Sequence, residues 1–268
     1  MPHVFADHGG PSRCTPFRCG AAMADMPIAV QGVLPALAVG VGGMLAGRAC
    51  AGVISRYAGL IEKGRNVDRS TLHLALFSGL GPSRHLAPAR PRSKLFCSLA
   101  MGAVLSALHG QAGLVPAFWV LALAAAMLLL LAGIDMRVSL LPDALTLPLM
   151  WLGLLAAWAG LGISLHDAFA GVVSGFLFLA ALAHGFRWLR GRQGIGGGDI
   201  KLLAALGAWI GWQDLAWVLL TASSLGIAYA MLRQRRLLPR GAYPFGPSLA
   251  LGGMAVFMQG TAVHSWFS

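Results

Sequence analysis

Repeated apolar runs of near-membrane length constrain this chain more than any other feature. A helix that spans a bilayer needs about 20 mainly apolar residues, because lipid offers its backbone no hydrogen-bond partner. Such runs occupy residues 27–47, 95–111, 115–134, 144–162, 166–186, 200–213, 215–232 and 246–264. Those at 95–111 and 200–213 are short, and the latter suits a tilted or partly re-entrant segment. Only 11% of the 268 residues are charged and 57% are hydrophobic, whereas soluble domains carry about 25% charged residues. One water-soluble core cannot bury that apolar excess. The expected fold is all-α, a polytopic membrane bundle of about eight transmembrane helices with the lipid bilayer as its solvent.

The net charge of +11 would suit a nucleic-acid partner if the basic residues formed one face. They lie instead between apolar runs, so no nucleic-acid partner is expected. If the first run enters the cytoplasm, the segments 48–94, 135–143, 187–199 and 233–245 are cytoplasmic. These segments and Lys201 just beyond hold every one of the 20 Lys and Arg except Arg13 and Arg18. The opposite loops, near 112–114, 163–165 and 214, hold none. That alternation is the positive-inside pattern.

The division expected from these signals is a disordered tail over 1–26, a first transmembrane helix over 27–47, a basic cytoplasmic loop or small subdomain over 48–94, and a transmembrane domain over 95–268. Met23 and Met26 are alternative starts to Met1. The four cysteines, Cys14, Cys19, Cys50 and Cys97, have no CxxC spacing and no zinc pattern with a histidine. Neither a disulfide framework nor a structural metal is expected.

With nine acidic residues in all, each can be weighed. Asp7 and Asp25 fall in the tail, Glu62 and Asp68 in the basic loop, and Asp167 and Asp214 at the outer ends of runs. Asp135, Asp143 and Asp199 all fall at cytoplasmic ends, and ionisable groups at membrane depth suggest function. Each also has a plain structural explanation when taken alone. Asp143 follows Pro142 at a helix start, where a carboxylate suits the dipole. Asp199 could cap a helix. Asp135 could be a solvated interfacial group, although an acid at a helix C-terminus opposes the dipole. The glycines at 194 and 196–198 allow close approach of another chain, which suits a peptide substrate.

The segments IDMRVSLLPDALTLPLMW and GIGGGDIKLLAALGAWIGW resemble the type IV prepilin peptidases, bacterial inner-membrane aspartic proteases with a GxGD motif. YPFGPSLALGG resembles a further motif of that family. GGMLAGRACAGVISRY and RSKLFCSLAMGAVLSALHG resemble its first span and the start of its second. The likeness is specific over 131–254 and looser over 30–110. It implies that Asp135 and Asp199 are the catalytic pair. It further implies that Asp143, Gly196, Gly198 and Lys201 support the pair or contact the substrate. The substrate would be a type IV prepilin or a type II secretion pseudopilin, whose short basic leader is cut at the cytoplasmic face.

Many family members also carry two zinc-binding CxxC pairs in the first cytoplasmic loop and methylate the new N-terminus. This loop has Cys50 near one end, Cys97 just beyond the other, and no cysteine between. N-methylation of the product is therefore doubtful, and S-adenosylmethionine is a cofactor only if that activity is retained. Proteolysis itself implies no cofactor. Two readings compete with a peptidase. A proton-coupled transporter should place carboxylates near the membrane midplane, whereas these three gather at one face. A catalytically inactive pilus or secretion assembly factor has no need to keep both aspartates.

Overall fold

A computed structural model describes residues 28–63, 69–77, 91–112, 115–191, 194–235 and 245–258. The described residues fold entirely into helices, with no strand among them. In chain order they are α1 (Ile28–Glu62), α2 (Arg69–Phe77), α3 (Pro91–Ala112), α4 (Pro116–Val138), α5 (Asp143–Trp158), α6 (Leu165–Arg190), α7 (Gly197–Ile210), α8 (Leu215–Gln234) and α9 (Gly246–Met258).

Each of the eight apolar runs corresponds to a helix. By length and composition, α1, α3, α4, α6 and α8 can each cross a membrane, while α5 and α9 are shorter apolar helices. The all-α membrane architecture is therefore as expected, and the structure is compatible with about eight membrane segments. The last run, expected over 246–264, extends beyond the described residues.

The first helix differs from its expected length. It continues through 48–62, a stretch expected to begin the cytoplasmic loop. Nothing between Arg48 and Glu62 breaks a helix, and Cys50, Ala51, Ile54, Tyr57 and Ala58 form a buried face at helical spacing. That face packs on α3 and α4. Ser98 Oγ donates to the Met44 carbonyl at 2.9 Å where α1 crosses α3. The short α2 was not expected at all, and it packs against α1.

α7 is the inner element of the second half. Its 14 residues reach about 21 Å at 1.5 Å per residue, short of a hydrocarbon core of about 30 Å. Leu202, Leu203, Leu206, Ala208 and Trp209 are fully enclosed by α5, α6 and α9. Small residues let α6 and α7 approach closely. A β-carbon at Gly171 would meet the Gly207 carbonyl, and one at Gly207 would meet the Gly171 carbonyl. Against α5, the buried Trp209 Nε1 donates to the Leu149 carbonyl at 2.9 Å. The body and C-terminal end of α7 are thus fixed from several sides. Trp119, Trp151, Trp158, Phe169, Phe178 and Trp217 point outward, as aromatic and apolar side chains do when the surroundings are lipid.

Candidate active site

Asp135 lies in the last turn of α4. That helix stops at Val138 because Ser139 turns into the left-handed region, with φ 51° and ψ 39°, and its N–H donates to the Asp135 carbonyl at 2.9 Å. Such a cap satisfies a carbonyl that the helix would otherwise leave orphaned. The chain then passes through Leu140 and Leu141 to Pro142, the N-cap of α5.

Asp199 lies in the first turn of α7, whose N-cap is Gly196. The Asp199 N–H donates to the Gly196 carbonyl at 3.1 Å. In return, the Gly196 N–H donates to the Asp199 carboxyl, a side chain at the third helical position reaching back to the cap.

A third helix end completes the arrangement. α9 starts at Gly246, whose N–H donates to the Asp135 carboxyl. A β-carbon at Gly246 would lie 2.7 Å from Asp135 Oδ2, so only glycine lets α9 begin this close to the acid.

The C-terminus of α4 and the N-termini of α7 and α9 therefore converge on two carboxyls. Asp135 is 5% exposed and Asp199 8%, and they are the buried acids among the described residues. The two carboxyls lie within Coulombic range of each other. Asp135 Oδ2 has no hydrogen-bond partner among the described residues. Burying two bare carboxylates without a cation is costly, and close like charges cannot both ionise easily. Two such carboxyls are cheaper to bury when a proton lies between them.

The supporting positions fall into two places. Asp143, at the start of α5, receives Lys201 Nζ on both oxygens, at 2.7 and 2.6 Å. Both side chains are largely exposed, 53% for Asp143 and 41% for Lys201. Residues two apart do not share a helix face, so Lys201 is turned away from Asp199 and toward α5. Gly196 and Gly198 stay with the buried pair. A β-carbon at Gly196 would lie 3.2 Å from Asp199 Oδ2, and one at Gly198 would lie 2.7 Å from the Leu141 β-carbon. Gly197 faces open space.

Two neighbours of the pair were not singled out from the sequence. Gly246 belongs to the YPFGPSLALGG segment, where it gave only a motif likeness; Tyr243 and Pro244 of that segment lie outside the described residues. Leu141 gave no signal, because what marks it is contact with residues far along the chain. The remaining acids serve other ends. Asp167 forms a reciprocal cap with Ser164, which starts α6. Asp214 occupies the N-cap position of α8, Glu62 is exposed, and Asp7, Asp25 and Asp68 lie outside the described residues.

A tetrahedral zinc site of the cysteine type needs four ligands. Cys50, on α1, and Cys97, on α3, are both free and buried. No group of three or more His, Cys, Asp or Glu able to hold a metal gathers among the described residues. Those residues do not form such a zinc site.

Fold and site together define a polytopic helical membrane protein with a buried carboxyl pair at converging helix ends. Residues 122–231, which include Asp135 and Asp199, match the type IV leader peptidase family. The "Prepilin leader peptidase/N-methyltransferase" of Burkholderia pseudomallei (strain 1026b) is 45% identical over 169 residues, covering 62% of this chain and 53% of the relative. That of Escherichia coli (strain K12) is 52% identical over 130 residues, covering 47% and 56%. That of Dickeya chrysanthemi is 49% identical over 125 residues, covering 46% and 44%. The chain spans about half the length of the curated relatives it matches. No solved structure matches it. The resemblance read from the sequence is borne out by these matches.

Proposed function

We propose that this protein is a membrane-embedded aspartic endopeptidase that removes the basic leader of type IV prepilins or type II secretion pseudopilins. The observation that carries this reading is the burial of Asp135 and Asp199 at converging helix ends, inside the segment that matches the peptidase family. Its relatives are prepilin leader peptidases, which points to prepilins as the substrate class. The basic segments around the site support a cytoplasmic active face in a bacterial inner membrane, by the positive-inside pattern.

In this mechanism one carboxylate takes a proton from water, and the water attacks the peptide carbonyl. The other, as a carboxylic acid, donates its proton to the carbonyl oxygen; the first then passes the proton it took from water to the leaving amine, and the collapsing diol returns a proton to the second. Asp199 acts as the base. It begins a helix, whose dipole favours the anion. Asp135 acts as the acid. It ends α4, whose dipole disfavours the anion, although the start of α9 offsets part of that effect. Its unpartnered Oδ2 favours the protonated form, because a bare buried oxygen is cheaper as a hydroxyl than as an anion.

Asp143 serves as a support. Its carboxylate already holds Lys201, so contact with a basic leader would require exchanging one cation for another. N-methylation is no part of this proposal, because the residues given roles here perform hydrolysis alone. The test is to incubate purified protein in detergent with a prepilin. Release of the leader after a glycine is expected, and an intact prepilin under conditions where the protein is folded contradicts the proposal.

A further inference from the structure

Leu141 touches both halves of the aspartate site and belongs to neither. It lies in the short connection that leaves Asp135. Its β-carbon sits where the side chain of any residue but glycine at 198 would go, 2.7 Å from a β-carbon built there. Its Cδ1 lies 3.2 Å from a β-carbon built at Gly246. The same side chain therefore fills the space beside the residue preceding Asp199 and beside the residue that donates to Asp135.

The connection is held at both ends. Before Leu141, the Ser139 N–H closes on the Asp135 carbonyl at 2.9 Å. After it, the Pro142 carbonyl accepts the Leu145 and Thr146 N–H groups at 3.0 and 3.2 Å. Just beyond, the Asp143–Lys201 ion pair draws the first turns of α5 and α7 together. Residues 196–198 have no side chains of their own to resist that pull.

We propose that the Leu141 side chain is the spacer that sets the gap between the two aspartate-bearing segments, with Gly198 giving it its seat. Leu141 is a positioning residue, and this role rests on the peptidase reading above. Two carboxyls that share a proton and attack one peptide carbonyl must keep a fixed separation, and a misplacement of about 1 Å can cost about 100-fold in rate.

The test uses the full chain in detergent, with kcat and KM measured on a prepilin and the melting temperature measured alongside. Gly198→Ala is expected to lower kcat by about 100-fold with little change in KM, because its methyl drives Leu141 and Asp199 apart. Leu141→Gly alone is expected to cost about tenfold in kcat through a slack gap. Combining Leu141→Gly with Gly198→Ala should restore kcat to within about tenfold of the parent chain, since removing the whole side chain, β-carbon included, makes room for the new methyl. The same truncation should not rescue Gly246→Ala, whose methyl would meet Asp135 Oδ2 itself.

Should Gly198→Ala fail to fold, Leu141→Phe enlarges the spacer from the other side, and a lowered kcat at unchanged KM is expected. Undiminished activity in Leu141→Phe overturns the spacer. Cleavage by the parent chain with no rescue in the double variant overturns the spacer alone. A rescue in which kcat merely follows the melting temperature shows ordinary packing and also overturns it. No cleavage by the parent chain overturns the peptidase reading and the spacer with it.

Discussion

Two pairs of charged side chains lie a few residues apart in sequence and could hardly differ more in setting. Asp135 and Asp199 are buried, share no cation, and leave one oxygen without a partner among the described residues. Asp143 and Lys201 are exposed, oppositely charged, and bonded through both carboxylate oxygens. The second pair is what stability alone would select at a helix start. The first pair works against stability, since burial disfavours charge and like charges repel. On the proposed peptidase reading, a fold that encloses such a pair with three helix ends keeps it for chemistry. Location at a helix end does not separate the two cases, because all four residues sit near one; burial and the absence of a counter-charge do.

The sharpest way to break this contrast is to remove one carboxyl proton at a time. Asp135→Asn and Asp199→Asn keep the side-chain shape and are each expected to lower kcat on a prepilin by roughly 10²–10⁴-fold. Asp143→Asn should stay within about tenfold of the parent chain, because it only loosens a support. Initial rates at saturating substrate, with membrane levels checked by immunoblot, separate the outcomes. A loss at Asp143 as deep as at Asp199 would erase the distinction.

A smaller effect is expected from the glycines beside the buried pair. An alanine methyl at Gly196 would lie 3.2 Å from Asp199 Oδ2, whereas one at Gly197 meets nothing within 4 Å. Gly196→Ala should therefore cut kcat several-fold, up to about 100-fold if the carboxyl is displaced. Gly197→Ala should be nearly silent. Equal rates in the two variants would mean that the loop is a hinge and no part of the site.

The smallest effect belongs to the exposed pair. Lys201→Met should destabilise the protein by about 1 kcal/mol or less, because exposed ion pairs are screened and pay side-chain entropy. The difference should shrink further in high salt. Thermal unfolding in detergent at low and high ionic strength measures it. A large loss that salt does not change would point to a desolvated, structurally demanding ion pair.

Much of this molecule is legible in its sequence because lipid punishes polar groups so heavily. Apolar runs therefore betray nearly every long helix, and the scarcity of acids makes Asp135 and Asp199 conspicuous. Where a helix runs past its apolar run, the cause is local. Arg48 and Arg56 mark the start of the basic loop or small subdomain expected over 48–94, and α1 continues past both because Cys50, Ile54 and Tyr57 keep a buried face. Hydropathy has little to detect in α2, which has nine residues and sits within a basic stretch.

The site was readable as residues and unreadable as contacts. Asp143 and Lys201 were both singled out, but their bond links positions 58 apart in the chain. Gly246 and Leu141 matter through side-chain space that only the folded chain defines. A glycine looks the same in sequence whether it faces a carboxyl, as at 246, or open space, as at 197.

The central claim is that Asp135 and Asp199 act as one unit holding one proton between them. Residues that act as a unit are strongly non-additive, so a second substitution removes little that the first has not already removed. The direct measurement is single-turnover cleavage of a prepilin by the purified parent chain, Asp135→Asn, Asp199→Asn and the double variant, all confirmed folded. The account predicts that both single variants lose nearly all activity and that the double variant is no slower than the slower single. Substantial cleavage by either single variant, or losses that multiply in the double, would contradict it.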